Sequence, residues 1–181
     1  MFLENKVTEN KDTFIQKVIY ISGLLQIVPA WLMIVMYFES GLNPRAQNSK
    51  TKATGLIQFM PQTATALGTS VDSLLQMSNV QQLNYVYQYL RPYAGKIKSL
   101  ADLYLCIFYP YAVTQPDNYI LGSQLTPEIV KKIADQNPVF DQDKNGLIYK
   151  SDVTEYINNY ARKIGYTGET VKKKDYLKTL F

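Results

Sequence analysis

Apolar side chains recur at helical spacing in the first part of the chain, and no residue from Val18 to Phe38 is charged. Between Thr13 and Ile27 the apolar positions follow the period of an amphipathic helix. From Pro29 to Phe38 the side chains are apolar all round, which predicts a helix at the centre of the core. Proline is favoured in the first turn of a helix, so Pro29 divides the run. We therefore predict two buried helices rather than one membrane span.

Later segments carry local signals for further helices. Thr126 precedes Pro127, the arrangement of a helix start. Residues 55–60 are predicted to be extended, as one strand of a small hairpin. Two residue pairs have capping-box spacing ahead of an apolar stretch: Ser78 with Gln81, and Ser99 with Asp102. The whole pattern predicts a mainly α fold with at most a small β-hairpin.

One acid, Glu39, stands at the end of the uncharged run, just where Gly41 and Pro44 stop the helix. A carboxylate held against apolar surroundings loses hydration, so its pKa rises towards the range useful to a general acid. The chain of 181 residues contains no histidine. This excludes Ser-His and Cys-His nucleophilic catalysis and histidine-based zinc sites. Carboxylates must therefore carry any acid–base chemistry.

Two motifs carry a family resemblance. Glu39-Ser40-Gly41-Leu42-Asn43-Pro44, followed by Gly55-Leu56-Ile57-Gln58-Phe59-Met60-Pro61, resembles the Glu-Ser and Gly-Leu-Met-Gln motifs of soluble lytic transglycosylases. The third motif of that family, Ala-Tyr-Asn, corresponds to Phe108-Tyr109-Pro110, where only the tyrosine matches. The resemblance covers roughly residues 13 to 111. It implies the fold of goose-type lysozyme, a lysozyme-like single domain of the α+β type.

The resemblance also implies an activity. Glu39 would be the catalytic acid, and Ser40, Gln58 and Tyr109 would bind substrate. The enzyme would cleave the β-1,4 bond between N-acetylmuramic acid and N-acetylglucosamine in peptidoglycan and leave a 1,6-anhydro product. Two alternatives stay open: a hydrolysing muramidase or chitinase of the same fold, and a non-catalytic glycan-binding or virion structural module. For Ser40 a helix cap, and for Gln58 a plain loop contact, are the alternative roles.

The segment from Asp141 to Asp152 resembles an EF-hand calcium loop, with predicted helices on both sides. Gly146 stands at the sixth position, where the sharp turn requires it. The twelfth position is an aspartate rather than the usual glutamate, so a bidentate contact is in doubt. The alternative is an Asp/Asn/Gly turn that binds no metal. The predicted ligands of one structural calcium ion are Asp141, Asp143, Asn145, the Leu147 carbonyl and Asp152.

These patterns give an overall organisation. We predict a polar N-terminal segment (1–12), a lysozyme-like core (13–125), a helix–loop–helix (126–165) and a basic tail (166–181). The net charge of +4 suits a polyanion such as the bacterial cell wall. We expect a monomer that contacts peptidoglycan glycan strands, binds no nucleic acid, is not an integral membrane protein and needs no cofactor for catalysis. It would act in the periplasm or outside the cell. The first residues lack a signal-peptide pattern, which favours a phage-encoded protein or export by a partner.

Overall fold

A computed structural model describes residues 1–168 of the chain. The described part is mainly helical, as the sequence pattern predicts, and it forms two compact units, Met1–Gly95 and Lys96–Gly168. The division falls within the predicted 13–125 segment. Of the predicted tail, residues 169–181 lie outside the described residues.

Eight α-helices account for half of the described residues. In chain order they are α1 (Lys11–Leu25), α2 (Pro29–Ser40), α3 (Pro61–Ala66), α4 (Val71–Gln76), α5 (Asn79–Leu90), α6 (Leu100–Phe108), α7 (Pro127–Gln136) and α8 (Lys150–Lys163). Short 3-10 turns occupy Glu4–Lys6, Arg91–Tyr93 and Pro110–Thr114. Residues 1–168 contain no β-strand, only isolated bridges that pair Gln47 with Thr54, Thr54 with Phe59, and Ile120 with Tyr149.

The first unit is built around α2, which packs against α1. Five consecutive α2 residues are fully buried, namely Leu32, Met33, Ile34, Val35 and Met36. The two helices meet at an angle of 113° at the break before Pro29. No single helix of residues 1–168 has the length and apolar character to cross a membrane. Helices α1 and α2 taken together, although bent, have the length and composition of a span.

Helix α5 packs against α1 in the same unit. Its start is the predicted capping box: the Ser78 hydroxyl accepts from the Gln81 N–H, and the Gln81 side chain accepts from the Ser78 N–H. Helix α4 was not predicted, although Ser70 is its N-cap and Asp72 lies in its first turn. Both are ordinary start signals, and a helix of six residues is too short for periodicity to reveal.

The prediction of an extended segment over residues 55–60 is wrong. Thr54 and Phe59 exchange two backbone hydrogen bonds, and the four residues between them turn back sharply. Gly55 and Gln58 both have positive φ angles, 82° and 52°, which an extended strand does not allow. The segment is therefore a tight turn between two bridged residues, not one strand of a hairpin.

In the second unit, α6 packs against α8. An aromatic cluster joins them: Phe140, in the loop before α8, lies 4.8 Å from Phe108 and 5.1 Å from Tyr156 between ring centroids. A buried ion pair adds to this contact, since Lys150 Nζ of α8 is 3.4 Å from Asp102 Oδ1 of α6. The same ammonium group donates to the carbonyls of Val113 and Gln115.

Candidate functional site

Glu39 lies in the last turn of α2, next to the most buried stretch of the first unit. Burial raises the pKa of its carboxyl group from an ordinary 4.5 to about 7. No ion pair to this carboxylate occurs within residues 1–168, so desolvation is not offset by a nearby cation. A carboxyl group with this pKa is partly protonated at neutral pH, as a general acid must be. The structure thus gives Glu39 the electrostatic character that the sequence predicts.

Ser40 ends α2, and its hydroxyl group is directed at the backbone. Its Oγ lies 2.9 Å from the Met36 carbonyl oxygen and 3.0 Å from the Leu56 carbonyl oxygen, both as acceptors. The first contact closes the helix end, and the second ties the helix to the 55–58 turn. This geometry favours the helix-end role for Ser40, while its oxygen lone pairs remain able to accept from a ligand.

Gln58 lies at the end of the turn that Ser40 holds. Its Nε2 donates to the Ala46 carbonyl at 3.2 Å and to the Gly55 carbonyl at 3.1 Å. The amide nitrogen is thus used to shape the loop. A substrate contact from this side chain would use its oxygen, Oε1, as an acceptor for a hydroxyl or acetamido N–H group.

Gln82 organises this loop, and sequence reasoning missed it. The side chain is fully buried on α5. Its Oε1 accepts from the Leu56 N–H at 2.9 Å, and its Nε2 donates to the carbonyls of Pro44 and Leu74. A Cβ atom at Gly55 would collide with Gln82 Oε1, so the turn requires glycine on steric grounds as well as for its φ of 82°. The only sequence signal was a glutamine on the apolar face of a predicted helix.

Tyr109 lies in the second unit, at the end of α6, whereas Glu39, Ser40 and Gln58 lie in the first. Its hydroxyl oxygen accepts a hydrogen bond from Gln124 Nε2 at 2.9 Å. The Oε1 atom of Gln124 accepts in turn from the Tyr119 hydroxyl. Tyr109 is therefore part of a local network of two tyrosines and an amide, which sequence reasoning did not foresee.

The predicted calcium loop folds as a compact turn between α7 and α8. Asp141 accepts from the backbone N–H groups of Asn145 and Gly146, and Asp143 accepts from Asn145. Asp152 lies in the first turn of α8, where its Oδ2 accepts from the Tyr149 N–H. Burial, followed by the charges of Asp143 and Asp141, raises the pKa of Asp152. Asp152 thus lies near enough to Asp143 and Asp141 to be repelled by them.

The fit of this loop to a metal ion is incomplete. Oxygen is the ligand atom that Ca²⁺ requires, and the side chains at loop positions one, three, five and twelve supply it. However, no three His, Cys, Asp or Glu side chains of residues 1–168 form a group arranged to hold a metal. One oxygen of Asp152 is also engaged by the Tyr149 N–H group. Calcium binding therefore stays a prediction.

One comparison with known proteins finds a similarity for part of the chain. Residues 19–100 match the family model described as Transglycosylase SLT domain. This segment includes Glu39, Ser40, Gln58 and the Gln82 amide that organises their loop, but neither Tyr109 nor residues 141–152. No curated protein and no solved structure matches the chain. This partial match and the mainly helical architecture of the described residues are consistent with a lysozyme-like fold.

Proposed function

We propose that the protein is a peptidoglycan lytic transglycosylase that cleaves the β-1,4 bond between N-acetylmuramic acid and N-acetylglucosamine. The observation that carries the proposal is the desolvated carboxyl group of Glu39, with its pKa of about 7, inside the segment that matches the transglycosylase domain. Such an enzyme acts on the cell wall, in the periplasm or outside the cell.

In the proposed reaction, Glu39 first donates its proton to the glycosidic oxygen while the bond to carbon one breaks. The acetamido group of the substrate stabilises the positive charge that develops on the sugar. Glu39, now a carboxylate, then takes the proton of the muramyl 6-hydroxyl as that oxygen attacks carbon one. The products are a free 4-hydroxyl end and a 1,6-anhydro end, and the carboxyl group returns to its protonated form.

The scarcity of a second suitable carboxylate supports this route over hydrolysis. Most glycosidases use two carboxyl groups, one of which positions a water or acts as a nucleophile. Asp72 is exposed on α4, and Asp102 in the second unit is paired with Lys150. Neither has the features of a second catalytic acid. A single acid that serves first as donor and then as acceptor needs no such partner.

Glu39→Gln tests the catalytic assignment in a turbidity assay on purified cell walls. The amide keeps the shape of the side chain but cannot donate a proton as an acid does, so we expect activity to fall on the order of a hundredfold to ten-thousandfold. Glu155→Gln, the same change at an exposed position of α8, is the matched control and should keep full activity. Activity of the Glu39 variant within about threefold of wild type would remove Glu39 from this role.

Mass spectrometry of the released muropeptides tests the product. We expect fragments that end in 1,6-anhydromuramic acid. Fragments heavier by one water molecule would identify a hydrolysing muramidase instead. A parallel digestion of chitin distinguishes a chitinase, and failure to cleave either polymer would leave a non-catalytic glycan-binding module.

We also propose that residues 141–152 bind one calcium ion in a structural role. The oxygen side chains of the loop and the mutual repulsion of Asp141, Asp143 and Asp152 support this. When bound, the ion would neutralise these charges and hold the start of α8 against the loop. No step of the glycan chemistry requires it.

A further inference from the structure

The second unit presents a row of aromatic and amide side chains at its surface, which we call the tyrosine platform: Tyr109, Tyr111, Tyr119 and Gln124. Tyr111 is among the most exposed large hydrophobic residues of residues 1–168, with 55% of its surface accessible. Its ring centroid lies 5.8 Å from that of Tyr119, and the ring planes are inclined by 38°. The two rings thus form one continuous aromatic surface.

Hydrogen bonds fix the orientation of the platform. Gln124 receives the Tyr119 hydroxyl proton at Oε1 and donates from Nε2 to the Tyr109 hydroxyl oxygen. One amide therefore links two rings that are ten positions apart in the chain. These two hydrogen bonds restrict the Tyr109 and Tyr119 side chains, so less conformational entropy is lost when a ligand binds.

The backbone under the platform is anchored as well. The backbone N–H of Lys150 donates to the Tyr119 carbonyl at 2.8 Å. The side-chain Nζ of the same lysine donates to the carbonyls of Val113 and Gln115, which precede Tyr119 in the chain. Gly122, at φ 85°, brings the following turn so close to α7 that a Cβ atom would lie 2.7 Å from Ile133 Cδ1. The platform is therefore a preorganised surface rather than a set of independent side chains.

On this basis, and resting on the function proposed above, we propose that the tyrosine platform binds an N-acetylated sugar of the glycan strand. A pyranose ring has an apolar C–H face and a rim of hydroxyl and acetamido groups. The exposed Tyr111 ring matches the apolar face, and the phenol and amide groups at the platform edge match the rim. None of the four side chains is charged, which suits a neutral sugar better than an acidic or basic peptide.

The experiment measures binding of peptide-free glycan strands, prepared from peptidoglycan, to the full-length protein by calorimetry. All proteins carry Glu39→Gln so that the strand is not cleaved. Tyr111→Ala should weaken binding by about tenfold, because the stacked ring is lost. Tyr111→Phe keeps the ring and should bind within about twofold of the parent.

Tyr20→Ala is the matched control, since Tyr20 is 51% exposed but lies on α1 in the first unit. It should leave binding unchanged. Gln124→Ala tests preorganisation: it removes the bridge but neither ring, and it should weaken binding by less than Tyr111→Ala. Melting curves establish that each variant is folded.

The outcomes separate this inference from the proposed function. If wild type cleaves cell walls but Tyr111→Ala binds glycan as the parent does, the platform is not a sugar site and the enzyme assignment stands. If Tyr111-dependent binding occurs without any cleavage by wild type, the platform stands and the transglycosylase assignment falls. If only peptide-bearing peptidoglycan binds, or if no glycan binds at all, the inference is wrong.

Discussion

The chemistry of Glu39 follows from where α2 ends. The helix is buried through Met36, Glu39 follows three residues later, and the helix ends at Ser40. The carboxyl group is therefore held between the core and the surface. Full burial would leave no access to a substrate, and full exposure would restore an ordinary pKa. The intermediate position gives both a raised pKa and partial access for a ligand.

The raised pKa predicts how the stability of the protein depends on pH. The folded-state pKa of Glu39 is about 7, above its ordinary 4.5, so the folded protein retains a proton at pH values where the unfolded chain has lost it. This contribution to stability is complete below about pH 4.5 and is lost as the pH rises through 7. The shift corresponds to on the order of 3 kcal/mol.

Glu39→Gln should therefore make the protein more stable than wild type at pH 8, because the amide cannot ionise. At pH 5 the gain in stability should be much smaller. Thermal or denaturant unfolding at the two pH values measures this difference. Equal stability of wild type and Glu39→Gln at pH 8 would mean that the carboxylate is well solvated and that burial does not control its pKa.

At the scale of elements, the position of Glu39 depends on a contact between α5 and the 41–60 loop. The side chain of Gln82 is fully buried, and it forms hydrogen bonds with the Leu56 N–H and with the carbonyl groups of Pro44 and Leu74. Leu56 in turn accepts from Ser40, which ends α2. The chain of contacts from Gln82 through Leu56 to Ser40 sets the position of the helix end that carries Glu39.

Gln82→Leu should destabilise the protein by about 2–4 kcal/mol, because it leaves buried backbone polar groups unsatisfied. Cleavage should also fall at a temperature where the variant remains folded, since the turn next to Glu39 loses its anchor. Chemical denaturation and the wall-turbidity assay measure the two effects. Gln88→Leu, on the exposed side of the same helix, should change neither. An unaltered free energy of unfolding for Gln82→Leu would show that the turn holds itself without α5.

At this scale, the sequence predicts the helix starts, because they depend on interactions between residues close together in the chain. Pro29 begins α2, and Ser78 with Gln81 caps α5, because these signals act within a few residues. The buried pair of Lys150 and Asp102 could not be predicted, since the two residues meet only after α6 and α8 pack. The 55–58 turn was mistaken for part of a strand because the positive φ angles of Gly55 and Gln58 leave no trace in the apolar pattern.

At the scale of the whole molecule, the two units hold different functional groups. The first contains Glu39, the proposed catalytic acid, and the turn that supports it, and the second contains the tyrosine platform and the predicted calcium loop. Within the second unit, the loop and the platform are continuous. Residues 148–151, at the end of the loop, form backbone hydrogen bonds with residues 117–121, which include Tyr119. Calcium bound at the loop would therefore stabilise the platform segment together with α8.

This arrangement predicts that calcium supports folding rather than chemistry. Unbound, Asp141, Asp143 and Asp152 repel one another, and a divalent ion offsets that repulsion. Because the ion binds the folded loop far better than the unfolded chain, it should raise stability by about 2.7 kcal/mol at a hundredfold excess over its dissociation constant. A chelator should accordingly lower the melting temperature of wild type.

Asp143→Ala should abolish this response to chelator, whereas Asp135→Ala, which removes only an exposed pair with Lys131 on α7, should preserve it. Neither chelator nor Asp143→Ala should stop cell-wall cleavage at a temperature where the protein is folded, because Glu39 and its supporting turn lie in the first unit. Identical melting with calcium and with chelator would mean that the loop is a metal-free Asp/Asn/Gly turn. A folded but inactive chelated protein would instead show that the ion acts on the chemistry, contrary to the structural role proposed for it.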